Sequence, residues 1–304
     1  MNKTGFSSFV ACLLGITAAY AAEVVVDPPK NCDACAGWNQ PFEPFQVWGN
    51  TWYVGTKGLS AILITSDQGH VLIDGGLPQS APLIAANIEK AGFHLEDVKL
   101  ILNSHTHFDH AGGIAALQRA SGAQVAASPK AKAALERGGP TEDDPQFGFG
   151  PIENDYAPVQ RVIEVRDGGN VKIGGRLVVT AHYTPGHTPG GTTWSWRACD
   201  GDHCIDVVYA DSLNAVSAPD FRFRDHTDVV EALLRSMGTV AGLCQRGILL
   251  APHPELFDRD ARLARRADAR DVEPFVSNDA CRAYADAARQ RLEKRLTDEK
   301  AAKR

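Results

Sequence analysis

Residues 103–113 read "NSHTHFDHAGG" and place His105, His107, Asp109 and His110 within six positions. A packed core does not accept three imidazoles and a carboxylate side by side, because each buried, unpaired polar group costs roughly 2–7 kcal/mol. The cluster therefore requires a scaffold that offers one short loop to a shared bound species. Its flanks narrow that scaffold. "VKLILNS" is a buried-type strand that runs straight into the cluster, and "HAGGIAALQRASG" has helical spacing and stops at Gly122. Strand, loop, helix places the cluster at the C-terminal edge of a sheet, where α/β proteins carry ligands and catalytic groups.

The rest of the chain fits such a sheet. "GNTWYVGTKGLSAILITSDQGHVLIDGG" reads as short strands broken by turn residues, and "APLIAANIEKAGF" as a helix ending at Gly92. Residues 138–160, rich in Gly, Pro and acids, are too long for a casual connector and read as a flap over the site. Strand patterns return in "RVIEV", "GNVKIGGRLVVTAHYT", "GTTWSWRA", "CIDVVYADS" and "RGILLAPH". Helical patterns occupy 227–242 and 280–296, and the charged tail after Leu296 is expected to fray. Strands then helix, repeated once, suggest two αβ halves packed through their sheets.

The chain opens "MNKTGFSSFVACLLGITAAYAAE", with one lysine, an apolar run and a small-x-small "AYA". That is the form of a signal peptide over 1–21, leaving one domain over 22–304 in the periplasm or outside the cell. The apolar run is shorter than the roughly 20 residues of a membrane span, so no membrane association is expected after its removal. Without it the balance is 30 basic against 37 acidic residues, which argues against nucleic acid as a partner. Oligomeric state is not legible, with a monomer slightly favoured.

Six cysteines remain beyond residue 21, an even number that reads as disulfides in an oxidising compartment, although 15 connectivities are possible. Cys199 and Cys204 flank the turn-forming "DGDH", which suits a local staple. Cys244–Cys281 would then tie two C-terminal helices. "CDAC" at 32–35 lies in a Pro-rich arm with no strand before it or helix after it, so Cys32–Cys35 reads as a structural bond rather than a redox pair.

Imidazole with carboxylate suits zinc, which takes four ligands and leaves one position to water in catalytic sites. The cluster alone supplies too few for two ions. His187 in "TPGHTPGGT" and His253 in "LLAPHPELF" each follow a strand-like run and sit among Pro and Gly that fix a loop. His70, His94, His182, His203 and His226 have no such context.

At these residues the chain resembles a known family. H-x-H-x-D-H, here "HTHFDH", is the signature of the metallo-β-lactamase superfamily. "HVLIDGGLPQSAP", "PGHTPGGTTWSW", "YADSLNAVSAP", "PHP" and "CRAYADAA" look like its third β-lactamase subclass, B3. The resemblance runs from about Phe45 to Leu296. It implies an α/β fold, an αββα sandwich of two mixed β-sheets with helices on the outer faces. It also implies two Zn²⁺ ions, one held by His105, His107 and His187, the other by Asp109, His110 and His253. Ser212 stands where other subclasses have a cysteine. Ser212 and Asn214 would contact the substrate or a water, unless they only stabilise a turn. Gln146 and Phe147 would roof the site from the flap, unless they are plain loop residues.

The implied activity is hydrolysis of the β-lactam amide of penicillins, cephalosporins and carbapenems by a dizinc-bound hydroxide, conferring antibiotic resistance. Asp109 would orient the nucleophile. The alternative is another hydrolase of the superfamily, a lactonase or glyoxalase-type thioesterase, in which Asp211 of "YADS" would bridge the metals.

Overall fold

The computed structural model describes residues 24–302 except Arg176, so the leader expected over 1–21 lies outside the described residues. The first sheet has seven strands in sequence order: β1 (Phe45–Trp48), β2 (Thr51–Tyr53), β3 (Ile62–Ile64), β4 (His70–Ile73), β5 (Val98–Leu102), β6 (Gln124–Ala127) and β7 (Val162–Glu164). Its first four strands are antiparallel and β4 through β7 run parallel. The second sheet runs through β8 (Asn170–Ile173), β9 (Leu177–Tyr183), β10 (Thr192–Asp200), β11 (His203–Tyr209), β12 (Gly247–Leu250) and β13 (Val276–Ser277). It too is mixed, with β11 and β12 parallel and the other pairs antiparallel.

Side chains alternate across a strand, and the first sheet is buried on both faces. Ile62, Ile64, Val71, Ile73, Leu100 and Leu102 face a core shared with Val179, Trp194, Trp196, Val207 and Tyr209 of the second sheet. Their neighbours Leu63, Leu72, Ile101 and Val125 face a separate core under helices. Two-sided burial is why these strands read as continuous apolar runs rather than as alternation. Polar bonds also cross the sandwich: Trp194 Nε1 donates to the Asn103 carbonyl at 3.0 Å, and Trp196 Nε1 to Thr51 Oγ1 at 2.9 Å.

The helices are α1 (Cys35–Trp38), α2 (Ala81–Lys90), α3 (Phe108–Ala111), α4 (Ile114–Ser121), α5 (Pro129–Arg137), α6 (Pro151–Asn154), α7 (Thr227–Leu243), α8 (Arg259–Ala264) and α9 (Ala280–Ala301). On the first sheet, α2 and α4 bury Ile84, Ile88, Ile114 and Leu117. On the other side, α7 and α9 contribute Leu233, Met237, Val240, Tyr284 and Leu292. The result is the helix–sheet–sheet–helix sandwich of two mixed sheets.

Three expectations need correction. The helix after the cluster starts at Phe108 and is broken at Gly112–Gly113 into α3 and α4, because the pair of glycines lets the chain turn closely against the first sheet's loops. "CDAC" is followed at once by the one-turn α1. The C-terminal helix does not fray at Leu296: Glu299 is buried and accepts from the Phe223 and Arg224 amides and from Arg295 Nε. Helix α5 has no counterpart in the sequence reading, although Ser128 caps it through the Ala131 amide and Gly138, at φ 83°, ends it.

Three disulfides are present, Cys32–Cys35, Cys199–Cys204 and Cys244–Cys281, with Cα separations of 5.0, 4.0 and 5.7 Å. Cys199 and Cys204 are directly opposed on β10 and β11. Cys244 follows α7 and Cys281 lies in α9, so this bond closes the longest loop, at a sequence separation of 37. Replacing Cys244 and Cys281 by serine should cost about 2–4 kcal/mol in the loop-entropy account. Denaturant melts of the two proteins under oxidising conditions measure it, and equal midpoints would show that the helix packing alone holds this corner.

Candidate metal centre

Every group of the cluster comes from one edge of the sandwich. His105, His107, Asp109 and His110 follow β5, His187 follows β9, Asp211 to Asn214 follow β11, and His253 follows β12. Asp74, just after β4, locks the turn at the end of β5. It is fully buried, with a φ of 64° that is uncommon for a residue with a side chain. Its Oδ1 accepts from the Ser104 amide at 2.7 Å and Asn103 Nδ2 at 3.1 Å; its Oδ2 accepts from Ser104 Oγ at 2.7 Å and Tyr209 OH at 2.8 Å. One carboxylate thus ties together the ends of β4, β5 and β11.

His105, His107 and His187 present ring nitrogens within 4.8 Å of one another, all buried. In each ring one nitrogen is already committed. His105 Nδ1 donates to Asp211 Oδ1 at 2.8 Å, His107 Nε2 to Asp144 Oδ1 at 3.2 Å, and His187 Nδ1 to the Asn214 carbonyl at 2.8 Å. The opposite nitrogens, His105 Nε2, His107 Nδ1 and His187 Nε2, are left to converge. This is the habit of metal-binding histidines, whose far N–H is held by a carboxylate or carbonyl. Gly191 makes room for one of these supports, since a Cβ there would stand 2.3 Å from Asp211 Oδ2.

The second group is tighter. Asp109 Oδ2 lies 3.1 Å from His110 Nε2 and 3.3 Å from His253 Nε2, and the two imidazole nitrogens are 3.2 Å apart. Donor atoms on a tetrahedral ion with bonds of about 2.0–2.1 Å are separated by roughly 3.3–3.4 Å, so the triangle has the size of one tetrahedral face. The two groups adjoin: ligand atoms of His105, Asp109 and His110 also fall within 4.8 Å of one another.

The electrostatics suit a cation. Burial, then the neighbouring His110, His187 and His107, hold His105 well below its usual pKa, and burial with His107 brings His187 down to about 3. Both rings are therefore neutral, the form that ligates metal. Burial pushes the Asp109 carboxyl up, but His110 and His253 outweigh it and hold the group well below the usual carboxylate range. Burial pushes the Asp211 carboxyl well above the usual carboxylate range, and its Oδ2, like Asp144 Oδ2, is buried without a hydrogen-bond partner among the described residues. The donor set fits a divalent metal.

All six histidine and aspartate candidates of the sequence reading thus stand together. Gln146 joins them, its Nε2 3.4 Å from His107 Nδ1. Phe147 instead lines a surface cleft beside Lys130, Arg137 and Thr141. Ser212 is buried, with its Oγ 3.5 Å from the Asn214 amide. The Asn214 side chain accepts from Arg291 Nε of α9 at 2.7 Å. Asp211 faces His105 Nδ1 rather than the converging nitrogens. Asp74 and Asp144 had no assigned role in the sequence reading.

The metallo-beta-lactamase superfamily model matches residues 55–242. Among solved structures, Rm3 metallo-beta-lactamase is 51% identical, with 89% of this chain and 99% of that chain covered and a TM-score of 0.83. MEM-A1, a subclass B3 metallo-beta-lactamase isolated from a soil metagenome library, is 50% identical over 88% of this chain and 100% of that one, with a TM-score of 0.82. A hydroxyacylglutathione hydrolase of Anaeromyxobacter dehalogenans is 31% identical over 143 residues, 46% of this chain and 44% of that protein. The chain spans about half the length of the curated relatives it matches. On the match to the family model and the full-length likeness to solved members, this chain belongs to the metallo-beta-lactamase superfamily.

Proposed function

We propose that the protein is a subclass B3 β-lactamase that opens the β-lactam amide of penicillins, cephalosporins and carbapenems with two zinc ions. The observation that carries this reading is the likeness to Rm3 metallo-beta-lactamase across 99% of that chain at 51% identity. The curated hydroxyacylglutathione hydrolase, by contrast, shares 31% identity over less than half of either protein. His105, His107 and His187 would hold one ion, and Asp109, His110 and His253 the other. Bound zinc would polarise the amide carbonyl and lower the pKa of a water to about 7, supplying nucleophile at neutral pH.

The chain's own residues do the rest. Asp109, kept ionised by its two imidazole neighbours, accepts a hydrogen bond from the attacking water and fixes its direction. Asp211, Asp144 and the Asn214 carbonyl keep the three imidazoles from rotating. Arg291 holds the oxygen of the Asn214 amide, and the Asn214 N–H₂ group and the Ser212 hydroxyl would contact the carboxylate that β-lactams carry. Gln146 covers the site beside His107, whereas Phe147 lines the surface cleft by Lys130 and Thr141 and has no part in it. Residues 1–21 would direct export to the periplasm, where hydrolysis would protect the cell from the antibiotic.

One penicillin, one cephalosporin and one carbapenem, each assayed with and without a chelator, test the reading. Chelator-sensitive hydrolysis of at least one is expected. Inertness toward all three, with turnover of an acyl homoserine lactone or a glutathione thioester, would move the protein to the alternative hydrolases.

The supporting carboxylates yield a separate expectation. Asp211→Asn keeps the shape but weakens the acceptor that orients His105, so affinity for the tri-histidine ion should fall about 10–100-fold. Zinc competition against a chromophoric chelator reads this directly. Unchanged affinity would mean that packing alone orients His105.

A further inference from the structure

The Cys32–Cys35 arm lies beside the second metal group, and its position suggests a use. Cys35 is buried with Leu59 and Leu77 in a small cluster apart from the two main cores, and Trp38 and Phe108 pack on it. Phe108 sits between His107 and Asp109 in the ligand loop. On the other side the Trp38 ring meets the His253 imidazole, with centroids 5.2 Å apart and planes tilted by 51°. The arm therefore touches both segments that supply Asp109, His110 and His253.

The Trp38 backbone is pinned where this contact needs it. Its carbonyl accepts from Thr56 Oγ1 at 2.7 Å and from the Gly58 amide at 3.1 Å. Gly58 has no side chain to displace the indole, and a Cβ there would stand 2.6 Å from Trp38 Cδ1. The Ser60 amide donates to the Pro252 carbonyl at 2.8 Å, fixing the main chain just before His253. The ring itself is less constrained than those of His105, His107 and His187. His253 Nδ1 lies by the Gly58 backbone without a well-formed hydrogen bond, and Glu255 Oε1 is 3.8 Å away. With only this loose Gly58 contact, packing supplies more of the His253 orientation than in the other three rings.

We propose that Trp38, held in place by the Cys32–Cys35 arm, is a positioning residue for His253 and sets the affinity of the Asp109–His110–His253 group for its ion. The inference rests on the two-ion reading above. It assigns to "CDAC" a mechanical role at the metal centre, without redox chemistry.

The test is stepwise zinc binding against competing chelators, with the cobalt(II) spectrum reporting each site, on the parent and on Trp38→Ala, Trp38→Phe, Gly58→Ala and the Cys32→Ser/Cys35→Ser pair. In Trp38→Ala the ion of the Asp109–His110–His253 group should be lost about 10–100-fold more easily, the scale for removing a group that orients a ligand. The tri-histidine ion should be unchanged. Trp38→Phe should recover most of the loss, whereas Gly58→Ala and the cysteine pair should shift the same ion in the same direction. Parent-like affinity for both ions in Trp38→Ala overturns the proposal, even if KM rises, because Trp38 would then be a substrate contact only. Equal weakening of both ions with a lowered Tm overturns it too, as general loosening. A parent that binds fewer than two ions would instead refute the two-ion reading, and this inference with it.

Discussion

Exhaustive chelation should abolish β-lactam hydrolysis, and added zinc should restore it. His105→Ala and His187→Ala should lower the rate by at least about 10²–10⁴-fold, the scale of losing positioned electrostatic and acid–base assistance. A serine would be the alternative group to attack a carbonyl. Ser104, the serine nearest the cluster, is fully buried and its hydroxyl donates to Asp74 Oδ2, so it cannot reach substrate. Ser195 does pair with His182, Oγ to Nε2 at 2.8 Å, but on adjacent positions of β9 and β10 rather than at the ligand-bearing edge. Residues 128–130 read Ser-Pro-Lys and lack the S-x-x-K spacing of serine β-lactamases. Ser128 is committed besides, donating to the Gly190 carbonyl and capping α5. Ser212 Oγ meets the Asn214 amide and no imidazole among the described residues, so a water activated at the histidine cluster is the nucleophile we propose. Rates with and without chelator, on the parent and on Ser195→Ala, check this. Hydrolysis that survives zinc removal, and that disappears in Ser195→Ala, would replace the metal reading with a serine one.

Some parts of the site were legible in the sequence because their chemistry is local. "HTHFDH" crowds four ligand candidates into one loop, and His187 and His253 announce themselves by following apolar strands into Pro-Gly turns. The supports of those ligands carry no such mark. Asp144 reaches His107 across 37 positions and Asp211 reaches His105 across 106. An isolated acid in a flap looks the same whether it orients a ligand or meets solvent. Asp211 drew attention as a possible metal bridge, but its carboxylate sits on the outer nitrogen of His105. The same contrast runs through the fold. β5 and α4 were readable from periodicity and Gly122, whereas α5 was not, because the only large aliphatic side chain in its "PKAKAALER" is Leu135. Glu299 shows why the tail was misjudged: a charged stretch looks solvated until its acid finds two backbone amides 75 positions away or more.

Asp109 distinguishes a catalytic cluster from a structural one, so its replacement should have the other large effect. It is buried, and its Oδ2 lies within 3.1–3.3 Å of His110 Nε2 and His253 Nε2. A purely local role is a helix cap, whose loss would cost about 0.5–2 kcal/mol and leave turnover intact. The geometry does not favour that role. α3 begins at Phe108 with His107 at the cap and no side-chain cap bond, so Asp109 is inside the first turn. There its charge contributes only about 0.3–1 kcal/mol through the helix dipole. The carboxylate is instead directed at the two imidazoles, where it completes the second group and can align the attacking water. Asp109→Ala should therefore lower kcat by about 10²–10⁴-fold and lose the ion of the second group. The tri-histidine ion should stay, because His105, His107 and His187 keep their own supports. Asp109→Asn keeps the volume but not the charge, so it should fall between parent and Asp109→Ala in metal affinity while remaining slow. Stability should change little in either variant, since β5 and the Asp74 network hold the loop from below. Zinc content, Tm and kcat from one preparation separate the outcomes. A lowered Tm with two ions and parent turnover would make Asp109 a structural residue, and a slow enzyme with one ion and a parent Tm would make it part of the mechanism.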